Sequence, residues 1–177
     1  MVRREHPLSG NIGSLISCTT RNEDLIPAFL ACLTGQRPLR REHRKLVRDI
    51  EARMEQTTDE NGAPYEYFAS EDADRDWEAL IDALNEYAPD FMYFGAHPGD
   101  GADYGFWLPE GWDDTFLSLA QYSRSSNPDY YDGIKVSDLS EVPRDYCGYI
   151  AVVTDHGNVS LYRRAQNHRL ICLWGIV

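Results

Sequence analysis

Four carboxylates, Asp74, Glu78, Asp82 and Glu86, recur at every fourth position, and Asp72 and Asp76 stand in a neighbouring row. On a helix this spacing sets successive carboxylates about 6 Å apart along one face. That is of the order of the ~3.4 Å axial advance between phosphates of one nucleic-acid strand, which also turn around the axis. Such a row can imitate phosphates toward a cationic groove. It equally suits a solvated face opposite the apolar stripe of Trp77, since each like-charge pair opposes helix formation by roughly 0.2–0.5 kcal/mol. A second set is His97, Asp100 and Asp103. One imidazole and two carboxylates within seven residues can hold a divalent ion through nitrogen and oxygen, as a metal-dependent hydrolase requires. The competing reading is a glycine-rich hairpin in which both aspartates make turn hydrogen bonds.

Charge is segregated along the chain. Residues 56–146 hold 21 of the 29 acidic side chains and four of the 17 basic ones, a formal charge of −17 within a total of −12. Self-repulsion of this size adds nothing to folding, so it points to solubility or to a positively charged partner. Within this segment Asp100, Asp103, Asp113 and Asp114 offer a second acidic edge, and Tyr104 or Trp112 offer aromatic anchors for the centre of an interface. The net charge disfavours direct binding to nucleic acid or to an anionic membrane. The exception is a basic face on the helix expected over 37–53, with Arg37, Arg40, Arg41, Arg44, Lys45 and Arg48. Arginines there also suit pairing with the acidic segment or exposure to water, and no aromatic stacking set is interleaved with them.

Length and composition predict one α+β domain over 1–177. Apolar residues make up 42% and aromatic ones 12%, with 11 tyrosines, as expected for a chain that folds. No apolar run is long enough to span a bilayer, and the N-terminal residues lack a signal-peptide pattern, so a cytoplasmic protein is expected. Four cysteines far apart in sequence predict reduced, buried thiols and no zinc site. No cofactor is expected, because no P-loop, no nucleophile elbow and no dinucleotide fingerprint is present.

The elements that must position these groups are read from periodicity. Three helices are expected over 20–88. The first begins at Thr20 or Asn22 and ends at Gly35. The second starts near Pro38, and the third runs from about Asp72 to Tyr87. Gln56–Pro64 reads as an exposed loop. From 91 to 177 the pattern is mainly β, with an irregular or short-helix stretch over 109–132. The strands around Tyr149–Val153, Val159–Tyr162 and Leu170–Trp174 form an antiparallel meander. Strands within Phe91–Leu108 are expected to extend it, and the N-terminal helices to pack on the resulting C-terminal sheet.

His97-Pro98-Gly99-Asp100 resembles the His-Pro-Asp-Asp zinc motif of deacetylases acting on N-acetylglucosamine conjugates. The second position of its Asp pair is shifted and no parallel βαβ pattern precedes it, so no ligand set carries over. The stretches Ala88–Trp107, Val136–Pro143 and Asp155–Val159 resemble small acidic proteins encoded on phages and other mobile elements. That resemblance implies an anti-defence inhibitor, in the manner of anti-CRISPR or anti-restriction proteins, working in the host cytoplasm. The partner it implies is a basic nucleic-acid-binding host protein or complex, occupied in competition with DNA or RNA.

Overall fold

A computed structural model describes residues 12–57 and 65–176. Residues 58–64 of the expected Gln56–Pro64 loop lie outside the described residues. The fold is α+β, and the chain divides into two compact units, Gly10–Leu108 and one containing Pro109–Val177. Among the described residues no helix is long and apolar enough to cross a membrane.

In the first unit β1 (Gly13–Ile16), β2 (Tyr93–His97) and β3 (Asp100–Trp107) form an antiparallel sheet in the order β1-β3-β2. Between β1 and β2 the chain runs through α1 (Asn22–Gly35), α2 (Arg41–Gln56), the one-turn α3 (Tyr65–Phe68) and α4 (Glu71–Asn85). Leu25, Ile26, Phe29 and Leu33 of α1, with Leu80 and Leu84 of α4, are at most 1% exposed. Burying each is worth roughly 1.5–3 kcal/mol. Phe29 meets Phe94 edge-on at 5.0 Å, and Phe94 meets Phe106 at 5.0 Å, so the helices pack on this small sheet of their own. At Gly105 an added Cβ would stand 2.0 Å from the Gly13 carbonyl oxygen; only glycine lets β1 approach β3 there.

Helix ends differ in detail from the expected caps. Arg21, with no side-chain cap bond, precedes α1, and the turn is tied by Thr19, whose hydroxyl donates to Asp24 at 2.6 Å and accepts the Arg21 N–H at 3.2 Å. Pro27 lies in the second turn of α1. It is exposed, so the carbonyl it leaves unpaired is on the wet side, and the buried face holds the helix together. Ser70 caps α4, accepting the Ala73 N–H at 3.3 Å. At the far end of α4 the Asn85 amide donates to the Phe94 carbonyl and accepts the Phe94 N–H, both at 2.9 Å.

The second unit contains β4 (Phe116–Ser118), α5 (Leu119–Tyr122), β5 (Gly133–Val136), β6 (Gly148–Val153), β7 (Val159–Arg164) and β8 (Leu170–Ile176). One sheet holds them in the order β4-β5-β6-β7-β8. The β6-β7-β8 part is the expected antiparallel meander. What extends it is β5 and β4, both paired in parallel, and not the strands of Phe91–Leu108. Gly133 permits this pairing, because a Cβ there would lie 2.3 Å from the Tyr149 carbonyl oxygen. Ile134, Val136, Val142, Tyr146 and Ile150 form the core beneath. In the stretch expected to be irregular or helical, Phe116–Ser118 is a strand, and α5 starts only after Ser118, which makes a capping box with Gln121. Cys32 is buried as expected, whereas Cys18, Cys147 and Cys172 are exposed. Cys172 falls on an outward position of β8 and the other two lie in connecting segments.

Candidate functional site

The outer face of α4 carries the acidic row. Asp74, Glu78 and Asp82 are exposed, as is Glu86 at the C-cap, while Ala73, Leu80, Ala83 and Leu84 are buried on the other side. The row is not uniform. Asp74 accepts a hydrogen bond from the Asn22 amide at 2.9 Å, and Glu86 is ion-paired with Arg40. Glu78 and Asp82 make no hydrogen bond or ion pair among the described residues, so their carboxylates are presented to solvent. Asp72 is exposed and pairs with Arg75.

Asp76 does not belong to this surface. It is 7% exposed and receives three hydrogen bonds, two from Arg53 at 2.9 and 2.6 Å and one from the Tyr67 hydroxyl at 2.8 Å. Burial, together with the Asp76 carboxylate, holds the Tyr67 phenol well above its ordinary range, so the hydroxyl remains a donor. The spacing that places Asp76 beside Asp72 also places it three residues from Ala73 and four from Leu80, on the buried stripe.

The clamp at the other end of α2 and α4 was not foreseen. His43 is 5% exposed. Its Nδ1 lies 2.9 Å from the Tyr87 hydroxyl, which also accepts the Arg40 N–H at 3.0 Å, and its Nε2 lies 3.5 Å from Glu86. Burial pushes the imidazole below its ordinary pKa, with Glu42 opposing and Arg40 reinforcing that shift. The sequence signal was the position of His43 on the apolar stripe of α2, with Val47 and Ile50. Along the solvent side of the same helix Arg41, Arg44 and Arg48 have no ion-pair partner among the described residues, and Lys45 reaches Asp49 at 3.9 Å.

The His97 set is built into a hairpin instead of a shared centre. His97 stacks edge-on against Trp107 at 4.6 Å and accepts the Gly99 N–H at 3.1 Å. Asp100 accepts the Ala102 N–H at 3.0 Å, and Asp103 accepts from the Ser14 hydroxyl at 2.5 Å. The β2–β3 register breaks between them: Ala96 faces Tyr104, whereas His97 faces Asp100. Among the described residues the group whose ligand atoms converge is Glu42, His43 and Glu86. The expected metal ligands His97, Asp100 and Asp103 are not brought together.

The aromatic anchors are also engaged. Tyr104 packs inward against Phe29 at 5.6 Å and Trp77 at 6.2 Å. No protein-family model, no curated protein and no solved structure matches the chain. In the second unit Trp112 packs on Phe116 and Trp174, and Asp113 pairs with Lys135 at 2.8 Å, while Asp114 is exposed. The exposed aromatics there are Tyr130 and Tyr131, at 83% and 41%, flanked by Asp129 and Asp132. Adjacent tyrosines between aspartates are the sequence signal for an exposed acidic-aromatic edge, and they stand in the stretch expected to be irregular or helical.

Proposed function

We propose that this chain is a non-enzymatic acidic binding protein whose α4 face enters a basic surface that otherwise holds nucleic acid. The observation that carries the reading is the exposed row on α4, with Glu78 and Asp82, which have no partner among the described residues, at its centre. Carboxylates at this interval repel one another in the free protein, and a cationic groove relieves that repulsion on binding. The charge of −17 over residues 56–146 supports the same partner class. The resemblance to acidic proteins of phages and mobile elements supports a host defence complex as that partner, either a CRISPR or a restriction assembly in the host cytoplasm.

The test has two stages. A pull-down from host lysate, with and without nuclease, recovers the partner. Wild type and the double variant Glu78→Gln/Asp82→Asn are then titrated against it at two salt concentrations, with DNA as competitor. The expected result is weaker binding by the variant, a flatter salt dependence and competition between the wild-type protein and DNA. Equal affinity of the two proteins, or simultaneous binding of DNA and protein by the partner, overturns the reading.

A further inference from the structure

From the clamp between α2 and α4 we infer a second site, which shares only Glu86 with the acidic row: a zinc-class divalent cation site formed by Glu42, His43 and Glu86. One ligand atom from each residue lies within 4.8 Å of the others. His43 Nε2 and Glu86 Oε1 are 3.5 Å apart. Two ligands about 2.0–2.1 Å from a tetrahedral ion stand about 3.4 Å from each other, so this pair is already at the separation an ion between them requires. Apart from this carboxylate, Nε2 has no partner among the described residues, although the ring is 5% exposed.

The surroundings prepare the ligands. Tyr87 Oη accepts the Arg40 N–H at 3.0 Å and lies 2.9 Å from His43 Nδ1. This contact holds the ring with Nε2 on the side of Glu86, as an outer partner does for a metal-bound histidine. Arg40 pairs with Glu86 Oε2, which leaves Oε1 to the ion. Glu42 is exposed on the first turn of α2 and supplies the third ligand without leaving its helix. Three protein ligands leave one position of a tetrahedral ion to water.

The test is calorimetric titration of the chelator-stripped full chain with Zn²⁺, accompanied by melting curves with and without the ion. One equivalent is expected to bind and to raise the melting temperature, because an ion that binds only the folded state stabilises it. Glu42→Gln, which alters an exposed side chain, and His43→Ala are expected to abolish the uptake. Tyr87→Phe is expected to weaken it about 10–100-fold, and His97→Ala to leave it unchanged. No stoichiometric uptake overturns the proposal. So does uptake that survives in Glu42→Gln together with Glu86→Gln, or uptake lost with His97→Ala. Should His43→Ala fail to melt cooperatively, the Glu42→Gln result alone decides.

Discussion

Arg53 grips both oxygens of the Asp76 carboxylate, with Nε 2.9 Å from Oδ2 and Nη2 2.6 Å from Oδ1. The two side chains are unequally wet, 36% exposed for Arg53 and 9% for Asp76. The pair is therefore expected to break asymmetrically. Arg53→Met leaves a buried carboxylate with only the Tyr67 hydroxyl and should cost about 3–5 kcal/mol. Asp76→Asn keeps the shape and lets the guanidinium turn toward water, so about 1–3 kcal/mol is expected. Urea denaturation of both variants measures the difference, and equal losses would contradict the asymmetry.

The α4 row is expected to be dispensable for folding. Glu78→Gln/Asp82→Asn removes charges that have no partner among the described residues and relieves like-charge neighbours. The variant should melt at the same temperature as wild type or slightly higher, by circular dichroism. A clear loss of stability would show that these carboxylates hold the helix in place.

Alkaline pH should loosen the second unit through Tyr146. Burial pushes this phenol up to about 12, above its ordinary value of about 10. Because the folded form favours the protonated phenol, its contribution is complete below about pH 10 and is lost as pH rises toward about 12. Tyr146→Phe gives up the hydrogen bond to the Tyr149 carbonyl at 2.8 Å but should lose less stability over that interval. Melting curves across the alkaline range, with tyrosinate absorbance followed in parallel, check the sign. An identical pH dependence in both proteins would place the alkaline transition elsewhere.

Trp174 should anchor β8. It is 3% exposed, faces Leu161 in the β7–β8 register and packs on Trp112 at 5.6 Å. Trp174→Ala is expected to cost about 3–5 kcal/mol, measured by calorimetry. A smaller loss would mean that the sheet closes over the space left behind.

Local periodicity made the helices and the C-terminal meander readable, because Leu25, Ile26, Phe29 and Leu33 mark one face of α1 and Val159–Arg164 and its neighbours alternate between turns. It also made the α4 row readable. The role of Asp76 was not, since its partner Arg53 lies 23 residues away on another helix and nothing local names it. The same holds for His43, which depends on Tyr87 at a separation of 44 residues. Strand β5 escaped notice because it is four residues long, Gly133–Val136, amid polar connections, and its burial comes from parallel neighbours that no hairpin signal announces. Assigning the hairpin of β2 and β3 to the C-terminal sheet failed for a related reason. Strand pairing there is decided by β1 and by the aromatic contacts to α1, and none of these is adjacent in sequence.

The amide of Asn85 imitates one residue of a neighbouring strand. Strand β2 is at the margin of its sheet, where an unoccupied N–H and carbonyl would invite another polypeptide to add itself in register. At Phe94 both of those groups are already taken by a side chain from α4. A side chain ends where it bonds and passes no further backbone groups onward, so this contact terminates the ladder instead of propagating it. The helix that displays negative charge to solvent thus also closes this position on the outer edge of β2.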